Sequence, residues 1–250
     1  MYIDQISYRK NLSSKSKRDF TLSLINNSDA DLLLFPGHTV TDSADLVYIA
    51  EHLENVKTAV FLELKNIGAR KITNWSFKIE KGDLINCSTH QLFSSSKEIA
   101  NNLFCAENLL NEIKLKRIHK VNNKKICLLI CGELNILTNI QSQNNRVEIR
   151  FDSDDIKKKY ADTFSDIDVF INPIHTPMGN QGKMSKRREF LSDNGRAYFS
   201  TANLSKPAGE AADAFIKSRA VQYAYYDGHE IEHLFCESHK DYMIKKYEII

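Results

Sequence analysis

Apolar positions along the chain gather into short runs separated by polar or turn-forming stretches. Five stand out: Asp31 to Phe35, Thr58 to Leu64, Lys125 to Cys131, Asp168 to Asn172 and Ala197 to Ala202. Such compact, largely apolar runs predict buried β-strands. Between them, Ser43 to Asn55 and Ser96 to Lys116 place Leu, Ile, Ala and Phe three and four residues apart, the spacing of one helical face. Ser96 and either Asp42 or Ser43 are the expected caps, because a short side-chain oxygen accepts from the open N–H groups of a first turn. The tyrosine-rich alternation from Val221 to Cys236 is interrupted by Asp227-Gly228, which predicts a tight hairpin turn. The charge run from Asp152 to Lys159 reads as a solvated helix or loop.

Composition narrows the class. A chain of 250 residues, 42% hydrophobic and 26% charged, can bury a large α/β core, and one domain over residues 1–250 is expected. Thirty-four Lys and Arg against thirty-two Asp and Glu give a net charge of +2, which supplies no electrostatic argument for nucleic acid or an anionic membrane. No apolar run approaches the roughly 18 residues of a membrane span, and Met1 to Lys10 has no leader-like pattern. A cytoplasmic location is the expectation. The five cysteines, Cys87, Cys105, Cys127, Cys131 and Cys236, are odd in number and lack paired spacing, so reduced thiols are expected.

The run Lys125-Ile-Cys-Leu-Leu-Ile-Cys131-Gly-Glu drives an apolar strand into a thiol followed by glycine and an acid. In α/β sheets ligands bind outside the carboxyl ends of strands, and Gly132 there would let the backbone turn and present N–H groups to a developing oxyanion. Cys131 is therefore the candidate nucleophile. Cys127, inside the same run, is the ordinary case of an inert core thiol.

A second string, His229-Glu230-Ile231-Glu232-His233, satisfies the His-Glu-x-x-His pattern of zinc hydrolases, which requires a helix. The preceding Asp227-Gly228 turn and the alternation predict a strand, where residues four apart lie about 13 Å apart. No metal and no other cofactor is expected.

The strand ending in Cys131 resembles the nucleophile strand of the nitrilase, or carbon–nitrogen hydrolase, superfamily, in which an apolar run ends in Cys, any residue, then Asp or Glu. Leu32-Leu-Leu-Phe35-Pro36 resembles that family's early strand ending in Phe-Pro. Asp168-Val-Phe-Ile-Asn172-Pro173 resembles the later strand ending in Asn-Pro. Lys186-Arg187-Arg188 through Gly195 to Asn203 resembles its arginine-bearing helix and following strand, so the matches run in order over roughly residues 1 to 235. The resemblance implies an αββα sandwich, two mixed sheets flanked by helices. It also implies a homodimer, hydrolysis of a small amide or nitrile-like substrate through a thioester, and no cofactor. Such domains occur joined to other enzymes as well, so a partner enzyme or domain belongs with these expectations.

Two of the family's three catalytic groups are not where the resemblance puts them. The glutamate that follows Phe-Pro is replaced by Gly37, and the lysine position falls at Thr89 or His90. Candidate bases are His38 and Glu63, the latter facing solvent or buried and functional. Glu133 is the candidate for orienting the elbow, and Lys97 or Lys65 for the cation. His175 and Thr176, after Asn172-Pro173, join Gly132 and His90 as substrate-binding candidates. Arg187 and Arg188 are expected to hold the core beneath the site. Three functions follow: a cysteine hydrolase on Cys131, a nitrilase-like binding or scaffold module that has lost turnover, and a zinc hydrolase on His229 and His233.

Overall fold

In the computed structural model the described residues are 1–8, 12–55, 57–66, 73–80, 83–175, 181–203 and 221–250, with the side chains of 66, 73–78, 80 and 83–89 outside the description. Thr176 and the side chains of Cys87 and Thr89 therefore lie outside it. Strands β1 (Tyr2–Tyr8), β2 (Leu32–Leu34), β3 (Ala59–Asn66), β4 (Thr73–Glu80) and β5 (Asp83–His90) build most of a first sheet. A second sheet begins with β6 (Ile118–Val121) and β7 (Lys124–Leu128), and a separate two-stranded ribbon follows, β8 (Leu137–Ile140) with β9 (Arg146–Ile149). The second sheet is completed by β10 (Val169–Ile174), β11 (Ala197–Ala202), β12 (Gln222–Tyr226) and β13 (His229–Glu230). Finally β14 (Phe235–Ser238) and β15 (Tyr242–Glu248) return to the first sheet, beside β1. Both sheets are mixed: β1, β2 and β3 run parallel, as do β7, β10 and β11, with antiparallel neighbours beyond them.

Period-two alternation explains the layers. Leu32 and Leu34 face the second sheet, packing in one cluster with Ile126, Leu128, Ile171 and Phe199. Leu33 between them points the other way, into a cluster with Ile25 of helix α1 (Ser14–Asn26) and with Leu46 and Ile49 of α2 (Ser43–Glu51). The outer face of the second sheet packs on α4 (Leu103–Glu112), α5 (Asp154–Phe164) and α6 (Gln181–Ser192) through Leu109, Ile156, Phe164 and Leu191. The result is the expected αββα sandwich. Polar ties pin the sheets in register: the Gln5 amide donates to the Ser200 and Tyr223 carbonyls at 3.1 and 2.9 Å, and the Ser7 and Thr201 hydroxyls meet at 2.9 Å, all inside the molecule.

Several sequence expectations need correction. The segment 96–116 is not one helix: α3 (Ser96–Ile99) stops at Ala100, Asn101 takes a positive φ of 58°, and Asn102 caps α4 by accepting from the Cys105 N–H. Ser96 is the first residue of α3 and not its cap, whereas Asp42 does cap α2 by accepting from Asp45 N–H at 2.9 Å. The charge run at 152–159 enters α5, whose buried Ile156 and Tyr160 dock it on the sheet. Asp227 and Gly228, with φ of 49° and 75°, turn β12 into β13 as the dipeptide predicts. Among the described residues no helix is long and apolar enough to cross a membrane.

Candidate active site

Strand β7 ends at Leu128, short of the thiol that the sequence placed at its tip. Ile126, Leu128 and Ile130 face the space between the sheets, while Cys127 and Leu129 face the helices. Cys127 is fully enclosed, and burial pushes its thiol far up. At Cys131 the alternation breaks, because its φ of 43° turns the chain into the short 3₁₀ turn Cys131–Ile136 and leaves the side chain half-buried. A non-glycine residue held this way costs on the order of 1–3 kcal/mol and persists only when its surroundings fix it. The bend was expected at Gly132, but Cys131 makes it. Gly132 is small for another reason: a β-carbon there would strike the backbone of Ser94.

What fixes the bend is Glu133. Fully buried, its carboxylate accepts from the Ile130 and Leu92 N–H groups, each at 2.9 Å, and forms a two-pronged ion pair with the equally buried Arg117. Arg117 also donates to the His90 carbonyl at 3.1 Å, tying β5 to the elbow. On the opposite side Arg187 of α6 donates to Asn135 Oδ1 at 2.9 Å and to Asn139 Oδ1 at 2.8 Å, and the Asn172 amide donates to the Cys131 carbonyl at 3.4 Å. Burial, followed by the nearby Arg150, lowers the Arg187 guanidinium to about 10. Arg188 lies 3.6 Å over the Tyr223 ring. Both arginines thus brace the core, as expected.

The carboxyl ends of the parallel strands bring three more segments to Cys131. Glu63, in β3, is buried at 1% exposure, which settles its two readings in favour of burial. His175, the residue after β10, lies with Nε2 2.5 Å from Glu63 Oε1, and its ring is hydrogen-bonded to the Cys131 side chain as well. Burial alone would lower the His175 imidazolium; hydrogen bonds to Cys131 and Glu63, with the charges of both, override it and lift the group to about 10. The turn after β2 closes the site: Gly37 N–H donates to the Ile174 carbonyl at 3.0 Å, the Asn203 amide donates to the Gly37 carbonyl at 2.9 Å, and the buried Thr39 hydroxyl donates to the Pro36 carbonyl. His38, at a φ of 58°, donates its N–H to Glu63 Oε1 at 3.2 Å and stacks its ring on His175 with centroids 3.7 Å apart.

The other sequence candidates fare unevenly. Lys65, in β3, is half-buried, and its charge, after the larger effect of burial, lowers the pKa of Lys17, whose ammonium donates to the His38 carbonyl at 3.5 Å. Lys17 was missed because in Ser14-Lys-Ser-Lys17-Arg nothing local distinguishes it from a solvated cation. Lys97 stands exposed on α3. His90 enters the site region through its carbonyl, held by Arg117. His229 and Glu230 are exposed in β13, as the strand reading required. Among the described residues the one grouping of His, Cys, Asp and Glu with metal-ligand spacing is His38, Glu63 and His175, away from that motif.

The fold has close precedents among solved structures. An amidase, NitN from Neterenkonia sp. AN1, superposes on 100% of this chain and 93% of its own with a TM-score of 0.60 at 10% identity. A carbon–nitrogen hydrolase superfamily protein from Xanthomonas campestris, XC1258, matches 99% of this chain and 90% of its own at 0.56 and 9%. The glutamine-dependent NAD(+) synthetase of Cytophaga hutchinsonii matches 100% of this chain at 0.58 and 13%, and there the chain spans only 43% of the larger protein. The fold is that of the nitrilases. By sequence alone the chain matches no family model and no curated protein.

Gly37 is small for a physical reason. A β-carbon at Gly37 would overlap the His175 ring and lie 3.0 Å from the His175 backbone nitrogen. The imidazole of His175, from the loop after β10, fills the space that a side chain at position 37 would take. The sequence offered a signal for this in Gly37 and His175 together, but only as two separate oddities.

Proposed function

We propose that this protein is a carbon–nitrogen hydrolase of nitrilase fold that works through a Cys131–His175–Glu63 triad in place of the usual cysteine, glutamate and lysine. The observation that carries the reading is the imidazole of His175 hydrogen-bonded to Cys131 on one side and to the buried Glu63 on the other. This is the relation of nucleophile, base and orienting acid that recurs in cysteine and serine hydrolases on unrelated folds.

In the first half-reaction the Cys131 sulfur attacks the carbonyl carbon of a small amide while its proton rests on His175, whose imidazolium the site holds at about 10. Collapse of the tetrahedral intermediate breaks the C–N bond, and His175 returns that proton to the leaving nitrogen. A thioester on Cys131 remains. In the second half-reaction water attacks the thioester carbon and gives one proton to His175; the intermediate expels the Cys131 thiolate and leaves the acid, and His175 keeps the proton, which restores the starting pair. Glu63 orients the ring and balances its positive charge through both steps. The backbone amides at the start of the Cys131–Ile136 turn are the candidate oxyanion donors, and Glu133 with Arg117 holds that turn rigid. Amide substrates suit this reading because a related amidase has been captured with butyramide and with acrylamide added at its active-site cysteine.

The test is intact-mass analysis of the protein with short-chain amides, alongside ammonia release. An acyl adduct on Cys131 and ammonia release, both absent in Cys131→Ala, support the reading. Ligand binding without adduct or ammonia makes the protein a binding module that has lost turnover.

A further inference from the structure

The hydrolase reading uses one imidazole, yet the fold delivers two to the same carboxylate oxygen. His38 Nε2 stands 3.7 Å from Glu63 Oε1, His175 Nε2 stands 2.5 Å from it, and the donor atoms of all three residues lie within 4.8 Å of one another. The second ring is placed deliberately: its backbone is held in the left-handed region, its N–H is bonded to Glu63, and it is stacked on His175. A second observation points at an absent cation. Glu63 Oε2, on a side chain 99% buried by its 1% exposure, has no hydrogen-bond partner among the described residues. A buried carboxylate oxygen left without a partner is costly, and a coordinated cation relieves that cost.

We infer that His38, Glu63 and His175 form an inhibitory site for a divalent transition-metal ion, zinc above others, which takes the imidazole that Cys131 depends on. The inference rests on the triad reading only for its consequence, inhibition. Two imidazoles and one carboxylate form a donor set that suits zinc with an open fourth position and disfavours calcium or magnesium, which take oxygen cages. Zinc bonds of about 2.0–2.3 Å put tetrahedral ligand atoms roughly 3.3–3.6 Å apart, so shifts of about an ångström bring the present donors into place. The ion takes the ring-nitrogen lone pair that proton transfer needs, releasing the His175 proton to solvent. The Cys131 thiol then loses its proton partner and alkylates slowly while the metal is bound.

The experiment titrates zinc chloride into chelator-stripped protein against a chromophoric chelator, and follows iodoacetamide alkylation of Cys131 with and without the metal. Expected are one zinc per chain, weakening by at least about tenfold in His38→Gln and in Glu63→Gln, and protection of Cys131 that EDTA reverses and His38→Gln abolishes. Circular dichroism of the variants establishes that they fold. Absence of stoichiometric zinc binding, or binding and protection unchanged in His38→Gln, overturns the inference. The two readings fail separately. A reactive Cys131 with no zinc binding removes the metal site and leaves the hydrolase, while His38-dependent zinc binding to a protein whose Cys131 is unreactive keeps the metal site and removes the hydrolase.

Discussion

Gly37 and His175 occupy one volume between them: a β-carbon on the first would intrude on the ring of the second. This pairing makes a glycine at position 37 a packing requirement of the imidazole. It also makes the first prediction sharp. Gly37→Ala overpacks the site and displaces the ring from Cys131 and Glu63, a change that costs about 1–3 kcal/mol in a packed interior. The expected outcome is a Tm lower by several degrees together with slower alkylation of Cys131. Unchanged stability and reactivity would mean that the two residues do not compete for space.

The buried pair of Glu133 and Arg117 holds the elbow: Glu133 accepts from Leu92 and Ile130 and pairs with Arg117, which in turn reaches the His90 carbonyl of β5. Glu133→Gln keeps the shape and removes the charge, stranding a guanidinium with no solvent. Loss of one member of a buried ion pair typically costs about 3–5 kcal/mol, far above an exposed substitution. Denaturant unfolding should show that loss, whereas Glu148→Gln, at the exposed edge of β9, should leave stability within about 0.5 kcal/mol.

A pH dependence follows from Asp4, on β1 and remote from the thiol. Burial, opposed by Lys246 and reinforced by Asp29, raises its carboxyl to about 6 from an ordinary 3.8. Because the folded value is the higher one, the proton bound to Asp4 stabilises the fold fully below about pH 4. That contribution is lost as the pH rises through 6. Asp4→Asn is neutral throughout and still accepts from the Ser28 hydroxyl, so the variant should gain stability relative to the parent between pH 4 and 7. Thermal melts across that range check the sign, and a gap that narrows with rising pH would refute it.

Much of the architecture was legible because burial on two faces writes apolar runs that local pattern can read. Leu32-Leu-Leu34 and Val169 to Ile174 are such runs, and Asp227-Gly228 is turn chemistry contained in two residues. The break at Ala100 to Asn102 was not legible, since Asn101 and Asn102 fit a helical face until one takes a left-handed φ. The site was half legible. Cys131 and Glu133 could be placed from one strand and its successor, but the partner of Cys131 comes from a loop forty-four positions later (131 to 175) and meets it only because β7 and β10 pair in parallel. Arg117 was hidden for the same reason: in Lys114-Leu-Lys-Arg117 it reads as one more solvated cation, and only the tertiary fold buries it.

The central claim is that His175 serves as the proton partner of Cys131. Mass mapping of iodoacetamide labelling at pH 7, in the metal-free wild-type protein and in His175→Ala, tests it most directly. Cys131 should label faster than exposed Cys236, half-buried Cys105 and enclosed Cys127, and that advantage should fall by at least about tenfold in His175→Ala. A Cys131 that labels no faster than Cys236, or at the same rate with and without the imidazole, would contradict the account.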